Sequence, residues 1–154
     1  IIYMPLTTYK QKRNLRKSGE PKAVVKKLKT KKLIFVIHEH HASHLHWDLR
    51  LEMNRILKSW AIPKSPPLDA KTKRLAIQVE DHPLEYAKFQ GTIPEGNYGA
   101  GKVKIWDKGV YEIINKDSKK IEVFFHGKKL KGKYVLVKTN YGNKPNKSWL
   151  FFKI

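Results

Sequence analysis

From Leu45 to Glu52 the chain alternates without exception: Leu45, Trp47, Leu49 and Leu51 are apolar, while His46, Asp48, Arg50 and Glu52 are polar. Successive side chains of an extended strand point to opposite faces, so the pattern predicts a β-strand with one core face and one polar face. Similar short runs recur along the chain between turn residues. Leu33 to His38 is apolar and β-branched, and Met53-Asn54-Arg55 reads as a tight hairpin before Ile56 to Ile62. Pro63-Lys64-Ser65-Pro66-Pro67 breaks the sheet. Arg74 to Glu80 alternates again, with Leu75, Ile77 and Val79 expected inward and Arg74, Ala76, Gln78 and Glu80 outward. Leu84 to Phe89 is at most a short helix or turn.

The second half of the chain continues in the same way. Gly91 to Gly101 carries glycines at 91, 96, 99 and 101 and reads as a loop. No helix follows it, so such glycine density points to positive φ or close backbone approach more than to phosphate binding. Strands are expected at Lys102 to Trp106, Val110 to Ile114, Ile121 to His126, Tyr134 to Thr139 and Trp149 to Ile154, separated by Lys108-Gly109, Gly127-Lys128, Gly132 and Asn140 to Lys147. About eight short strands with almost no helical periodicity predict an all-β fold, a closed or nearly closed antiparallel β-barrel over residues 32–154. At 154 residues the chain is expected to form a single domain.

The polar row of the Leu45–Glu52 strand is not an ordinary solvated face. It presents an imidazole, a carboxylate and a guanidinium in order, roughly 7 Å apart at each step. His46 and Asp48 can reach one divalent cation, and Arg50 can clamp phosphate oxygens polarised by that cation. A third ligand can come from just upstream, where spacing leaves His40 and His41 as the nearest candidates. Five of the seven histidines fall between Ile37 and Glu52. The bland alternative is a histidine-rich polar surface that binds nothing.

Charge narrows the partners. Lys and Arg total 33 against 13 acidic residues, a formal net charge of +20. A polyanion is the natural partner, and nucleic acid is favoured over a membrane surface because no apolar run approaches the roughly 18 residues of a membrane span. Signal-peptide and lipidation motifs are not recognised. Zero Cys excludes disulfides and thiolate ligands, so a metal must be held by nitrogen and oxygen, and a cytoplasmic setting is expected. The strong positive charge also favours a monomer. Residues 1–31 form a basic, poorly periodic arm, expected either to track a phosphate backbone or to fold Arg13, Asn14 and Glu20 over the polar face. The chain starts at Ile1 without Met, as expected of a trimmed chain or a fragment.

With these residues assembled, the chain resembles the 3'-phosphoesterase domain of bacterial DNA ligase D, and especially its small stand-alone relatives. The resemblance rests on Lys12-Arg13-Asn14 with Glu20-Pro21, Phe35-Val36-Ile37 leading to His40, Leu45 to Glu52, Leu57 to Lys64, Val79 to Tyr86, Gly91 to Gly101 and Val103 to Gly109. It implies a manganese-binding groove on a β-barrel, other divalent transition metals being alternatives. It also implies a substrate, the 3' end of a DNA primer on a template. A terminal ribonucleoside is released by phosphodiester cleavage, and a phosphomonoesterase step then removes the 3'-phosphate to leave a 3'-OH for end joining. By resemblance His40, His46 and Asp48 are the metal ligands, in favour of His40 over His41. Arg13, Glu20, Arg50, Glu80, His82 and Tyr86 line the phosphate site, Lys64 and Arg74 handle the terminal phosphate, and His82 protonates the leaving oxygen or hydrogen-bonds the phosphate.

The chain also departs from the family's pattern. Asn14 replaces the usual Asp, Trp47 replaces the usual Tyr, and His38, His41 and His44 are extra imidazoles able to compete for metal. The alternative function is a non-catalytic, basic DNA-end-binding module that recruits a separately encoded ligase or polymerase.

Overall fold

The computed structural model describes residues 33–141 and 144–154. Arg13, Asn14, Glu20 and the rest of the basic arm lie outside the described residues. Nine strands follow one another: β1 Leu33–His41, β2 Leu45–Met53, β3 Ile56–Ile62, β4 Lys73–Pro83, β5 Gly91–Ile93, β6 Gly101–Lys116, β7 Lys120–His126, β8 Lys131–Lys138 and β9 Ser148–Lys153, with one short 3₁₀ helix, Leu84–Lys88, after β4. Every pairing is antiparallel, and the order β1-β2-β3-β4-β9-β8-β7-β6 is closed by β6 pairing back onto β1. The result is the expected closed barrel of eight strands, with β5 as an extra strand on β6.

Alternation decides what fills the barrel. Phe35 and Ile37 of β1, Leu49 and Leu51 of β2, Trp60 and Ile62 of β3 and Tyr111 of β6 all point inside, where they meet Phe125, Tyr134 and Phe151. Phe125 is the hub of this core, its ring centroid 4.6 Å from Phe35, 5.2 Å from Tyr134 and 6.2 Å from Phe151. The buried hydroxyls find carbonyl acceptors: Tyr111 donates to Glu52 O at 2.6 Å and Tyr134 to Pro67 O at 2.7 Å. The interior is therefore a packed core with no room for a substrate, and a site has to lie on the outer wall.

That outer wall carries a second, smaller core. Val36 and Leu57 pack under Tyr86 and Ala87 of the 3₁₀ helix, with Ile34, Leu84, Phe89 and Ile105 around them. Both faces of β2 are consequently covered, so Asp48, Arg50 and Glu52 are buried along with Leu49 and Leu51. Leu45, expected on the core face, sits at the barrel rim and is exposed. Trp47 packs against the main core, as its apolar position implies.

The structure corrects several expected boundaries and faces. The strands expected at Lys102 to Trp106 and Val110 to Ile114 are one continuous strand, β6. Gly109 is there for close approach and not for a turn, since a Cβ at this position would collide with the carbonyl oxygen of His126 across the β6–β7 ladder. From Ala76 to Val79 the faces of β4 are the reverse of those expected, Ala76 being in the barrel core and Gln78 accepting the Trp149 Nε1–H at 3.1 Å while Val79 faces the outer groove; Glu80 is exposed and lines that groove, outward as expected. Register with Trp60, which pairs with Gln78, fixes this orientation. The Asn54-Arg55 hairpin is as expected, a two-residue turn with φ of 52° and 67°.

Candidate metal and phosphate site

The floor of the site is written by the β1–β2 register. His40 pairs with His46 and His38 with Asp48, and Val36 pairs with Arg50, so one face of two adjacent strands brings His38, His40, His46, Asp48 and Arg50 together, with Val36 as the apolar residue at its inner end. His38, His40 and His41 are strand residues, since β1 runs on to His41 and only Ala42, Ser43 and His44 form the connection.

His40, His46 and Asp48 each offer one ligand atom, all within 4.8 Å of one another. His46 Nε2 lies 3.3 Å and His40 Nδ1 3.6 Å from Asp48 Oδ2. The other ring nitrogens are occupied by carbonyl acceptors: His40 Nε2–H donates to Gly99 O at 2.8 Å and His46 Nδ1–H to His44 O at 3.0 Å. In these tautomers, two nitrogen lone pairs converge on a carboxylate oxygen. Three acceptors facing each other are mutually repulsive unless positive charge sits among them. The donor set fits a divalent cation with open positions better than a closed structural zinc. The electrostatics point the same way. Asp48 raises the affinity of His46 for a proton, and burial of Asp48 is outweighed by His40, His46 and Arg50, which hold its carboxyl well below the usual range.

Arg50 forms the adjoining wall. Its Nε donates to His38 Nδ1 at 3.1 Å, Nη1 to Ser59 Oγ at 2.9 Å and Nη2 to Asp48 Oδ2 at 3.4 Å, and its guanidinium lies 4.9 Å from the Tyr86 ring centroid. His38 is thus not a competing metal ligand. It is fully buried, with Nε2–H donating to Phe89 O at 3.0 Å, which leaves Nδ1 as the acceptor that orients Arg50. Burial, and then the Arg50 charge, push its pKa down to about 3, so the ring is neutral and keeps that lone pair. His41 is exposed and paired with Glu39 Oε2 at 2.6 Å, and His44 is exposed in the turn, contributing its backbone carbonyl to His46.

His82 stands opposite, at the end of β4. Its Nδ1 is 3.0 Å from Glu80 O and 3.2 Å from Arg50 Nη1 and can serve only one of them. When Nδ1–H donates to Glu80 O, Nε2 carries a lone pair; when Nδ1 accepts from Arg50, Nε2 carries the proton. Burial first, and the Arg50 charge second, push His82 down to about 4. The imidazole is therefore neutral at neutral pH in the free protein, and the expected acid role requires an incoming phosphate to offset the Arg50 charge.

A groove of about 450 Å³ joins these groups, lined among others by His40, Asp48, Arg50, Glu80, His82 and Tyr86. Two residues expected at the phosphate are placed differently. Lys64 is exposed just beyond β3, and Arg74 Nε donates to Ser65 O at 2.7 Å beside it, so neither is among the groove-lining residues. Sequence reasoning missed His38 and Ser59, which act only through Arg50, and Tyr98, whose hydroxyl donates to Glu80 Oε2 at 3.2 Å. The cross-strand register is the only signal that finds the first two.

Comparison with known proteins gives the family. The chain is 43% identical over 155 residues to the multifunctional non-homologous end joining protein LigD of Pseudomonas aeruginosa, covering 97% of this chain and 18% of that protein. It is 47% identical over 139 residues to LigD of Mycobacterium bovis and 44% identical over 158 residues to LigD of Mycolicibacterium smegmatis, covering 88% and 94% of this chain and 18% and 20% of those proteins. The chain thus spans about a fifth of the length of the curated relatives it matches. Residues 38–138, which hold the whole groove, match the DNA ligase D 3'-phosphoesterase domain, and the chain belongs to that family.

Proposed function

We propose that the protein is a manganese-dependent phosphoesterase that heals DNA 3' ends, removing a terminal ribonucleoside from a primer strand and then the 3'-phosphate, to leave a 3'-OH for end-joining ligation. The observation that carries the reading is the convergence of His40 Nδ1, His46 Nε2 and Asp48 Oδ2 beside the buried Arg50 guanidinium. A manganese ion in this donor set supplies Lewis-acid polarisation of a phosphoryl oxygen. Asp48, Glu80 and Arg50 leave the groove with one excess negative charge, and a dication would turn that into an excess positive charge suited to a phosphate.

The residues of the chain do the remaining work. Arg50, held on three sides, stabilises charge that builds on the phosphoryl oxygens without having to reorient. Tyr86 holds Arg50 and His82 from below, its ring centroid 4.8 Å from that of His82. In the diester step a water oxygen bonds to phosphorus as the bond from phosphorus to the terminal ribonucleoside's O5' breaks, and the departing oxygen takes a proton. In the monoester step a second water oxygen bonds to phosphorus as the bond from phosphorus to the primer's O3' breaks, and O3' takes a proton, giving inorganic phosphate and a 3'-OH. His82 Nε2 is the atom assigned to hydrogen-bond the phosphate and exchange the proton in each step, its charge state set by whether substrate offsets Arg50. The basic arm, with Arg13, Asn14 and Glu20, is proposed to close over the groove, and Lys64 with Arg74 to approach the terminal phosphate from the β3 end. The substrate is a primer-template junction, and the partners are a DNA ligase and a polymerase of the same repair reaction. No helix among the described residues is long and apolar enough to cross a membrane.

A 5'-labelled primer ending in one ribonucleotide, annealed to a longer DNA template, tests the reading with manganese and with chelator. Stepwise conversion to a 3'-phosphate and then to a 3'-OH end, lost with chelator, is the expected result. An untouched primer that still shifts on a native gel overturns it in favour of a binding module.

A further inference from the structure

Tyr98 is the one groove-lining aromatic residue, among the described residues, that stands in solvent: it is 77% exposed, whereas Tyr86 is buried. Its position is built and not incidental. Gly96 and Gly99 on either side take φ of 89° and 74°, in the left-handed region that favours glycine, and Asn97 Nδ2 donates to Pro94 O at 3.2 Å across the turn. The Tyr98 hydroxyl reaches Glu80 at the end of β4, tying the ring to the opposite wall of the groove. The next residue, Gly99, supplies the carbonyl that fixes the His40 tautomer. One short turn therefore holds a metal-ligand candidate on one side and displays an apolar ring at the groove rim on the other.

We propose that Tyr98 is a positioning residue, the platform on which the base of the primer's 3'-terminal nucleotide stacks while its phosphate reaches Arg50 and His82. The inference rests on the nucleic-acid reading above. Stacking on an aromatic face is tolerant of base identity, as an enzyme acting on DNA ends of any sequence requires. The ring's tie to Glu80 restricts its motion before the base arrives, which lowers the ordering cost of binding.

The test uses two 3'-phosphate primers on one template, ending in a normal nucleotide or in an abasic one, with wild-type protein, Tyr98→Ala and Tyr98→Phe. Tyr98→Ala is expected to raise KM for the normal primer by about tenfold with a much smaller change in kcat, the scale of one base stacked on a ring. Tyr98→Phe restores most of that loss, and on the abasic primer wild type and Tyr98→Ala converge. An equal loss by Tyr98→Ala on both primers, a Phe variant as impaired as the Ala variant, or no change in KM overturns the proposal. Binding of a primer with a fluorescent 2-aminopurine at its 3' end separates this from failure of the enzymatic reading: stacking quenches the probe on wild type and not on Tyr98→Ala, whether or not any primer is turned over. An unquenched probe on wild type overturns the proposal on its own.

Discussion

The pairing of Asp48 with Arg50 sets a stability cost that can be worked out before any substrate is added. Both side chains are almost completely buried, and Asp48 Oδ2 lies 3.4 Å from Arg50 Nη2. At an effective dielectric of about 20, two unit charges at that separation attract by roughly 5 kcal/mol, most of which compensates their loss of water. Asp48→Asn keeps the shape and removes the charge, so it leaves a buried guanidinium whose remaining hydrogen-bond partners, His38, Ser59 and His82, are neutral. Breaking such a pair by removing one member costs about 3–5 kcal/mol. Urea unfolding in the presence of chelator, at pH 7, should show a midpoint lowered by about 2 M at an unchanged slope, taking a slope of about 2 kcal/mol/M. The double variant Asp48→Asn with Arg50→Met should recover most of the loss, because no buried charge remains. The pH dependence has a definite sign. Asp48 is held below its unfolded value, so the pair's contribution is complete above the unfolded pKa of about 4 and is lost as pH falls below it, where wild type and Asp48→Asn converge. A loss under about 1 kcal/mol at pH 7, or additive effects in the double variant, would refute the assignment of Asp48 as the countercharge of Arg50.

Three further outcomes are expected. His46→Ala should abolish the rise in melting temperature that manganese gives the wild type, and with it turnover, while salt-sensitive DNA binding survives; unchanged metal stabilisation would dismiss the triad. In metal-free protein followed by NMR, His82 should titrate near pH 4 and not near 6.5, so the fold weakens as pH falls between those values, where only the unfolded chain takes the proton; a midpoint near 6.5 contradicts the burial that lowers it. Asp107→Ala should cost about 3 kcal/mol by chemical denaturation, since its carboxylate accepts the N–H groups of Lys108, Lys128, Lys129 and Leu130 at 2.8–3.1 Å and the buried Leu130 amide has no water to replace it; a change below about 1 kcal/mol would show that the β7–β8 turn does not depend on this cap.

How much of this was legible in the sequence depends on whether the cause is local. The β2 strand and the Asn54-Arg55 turn are local, set by a two-residue period and by a hairpin that needs two positive φ values, and both were found where expected. That His46 and Asp48 meet a histidine of the preceding strand was legible because two of them lie on one strand and the third on the strand joined to it by three residues, but spacing left His40 and His41 equal and only the family resemblance favoured His40. The β4 faces were not legible. Leu75, Ile77 and Val79 are the larger apolar residues and local hydrophobicity sends them inward, yet the ladders to β3 and β9 place Ala76 and Gln78 beside Trp60 and Trp149, where the space is already taken by indole rings. Gly109 misled for a related reason: glycine marks a turn and a close backbone approach equally well, and only the β7 neighbour decides between them.

His38 shows the same division within the site. As one more imidazole in a histidine-rich run it was expected to compete for metal, and nothing in its immediate sequence distinguishes it from His40. The distinction comes from what lies across the sheet. His40 meets the Gly99 carbonyl with one nitrogen and turns the other to Asp48; His38 meets the Phe89 carbonyl and turns the other to Arg50. Two residues apart on one strand, they are oriented by backbone carbonyls from the two ends of one segment, Phe89 to Gly99, which starts just beyond the 3₁₀ helix and returns to β6. That segment therefore fixes both the metal-facing lone pair of His40 and the arginine-facing lone pair of His38. Gly101, which closes it, has no room for a side chain, because a Cβ there would collide with the carbonyl of His41 at the end of β1. The glycines that looked merely structural in the sequence bring the outer loop close enough to the barrel wall to set the tautomers of its two working histidines.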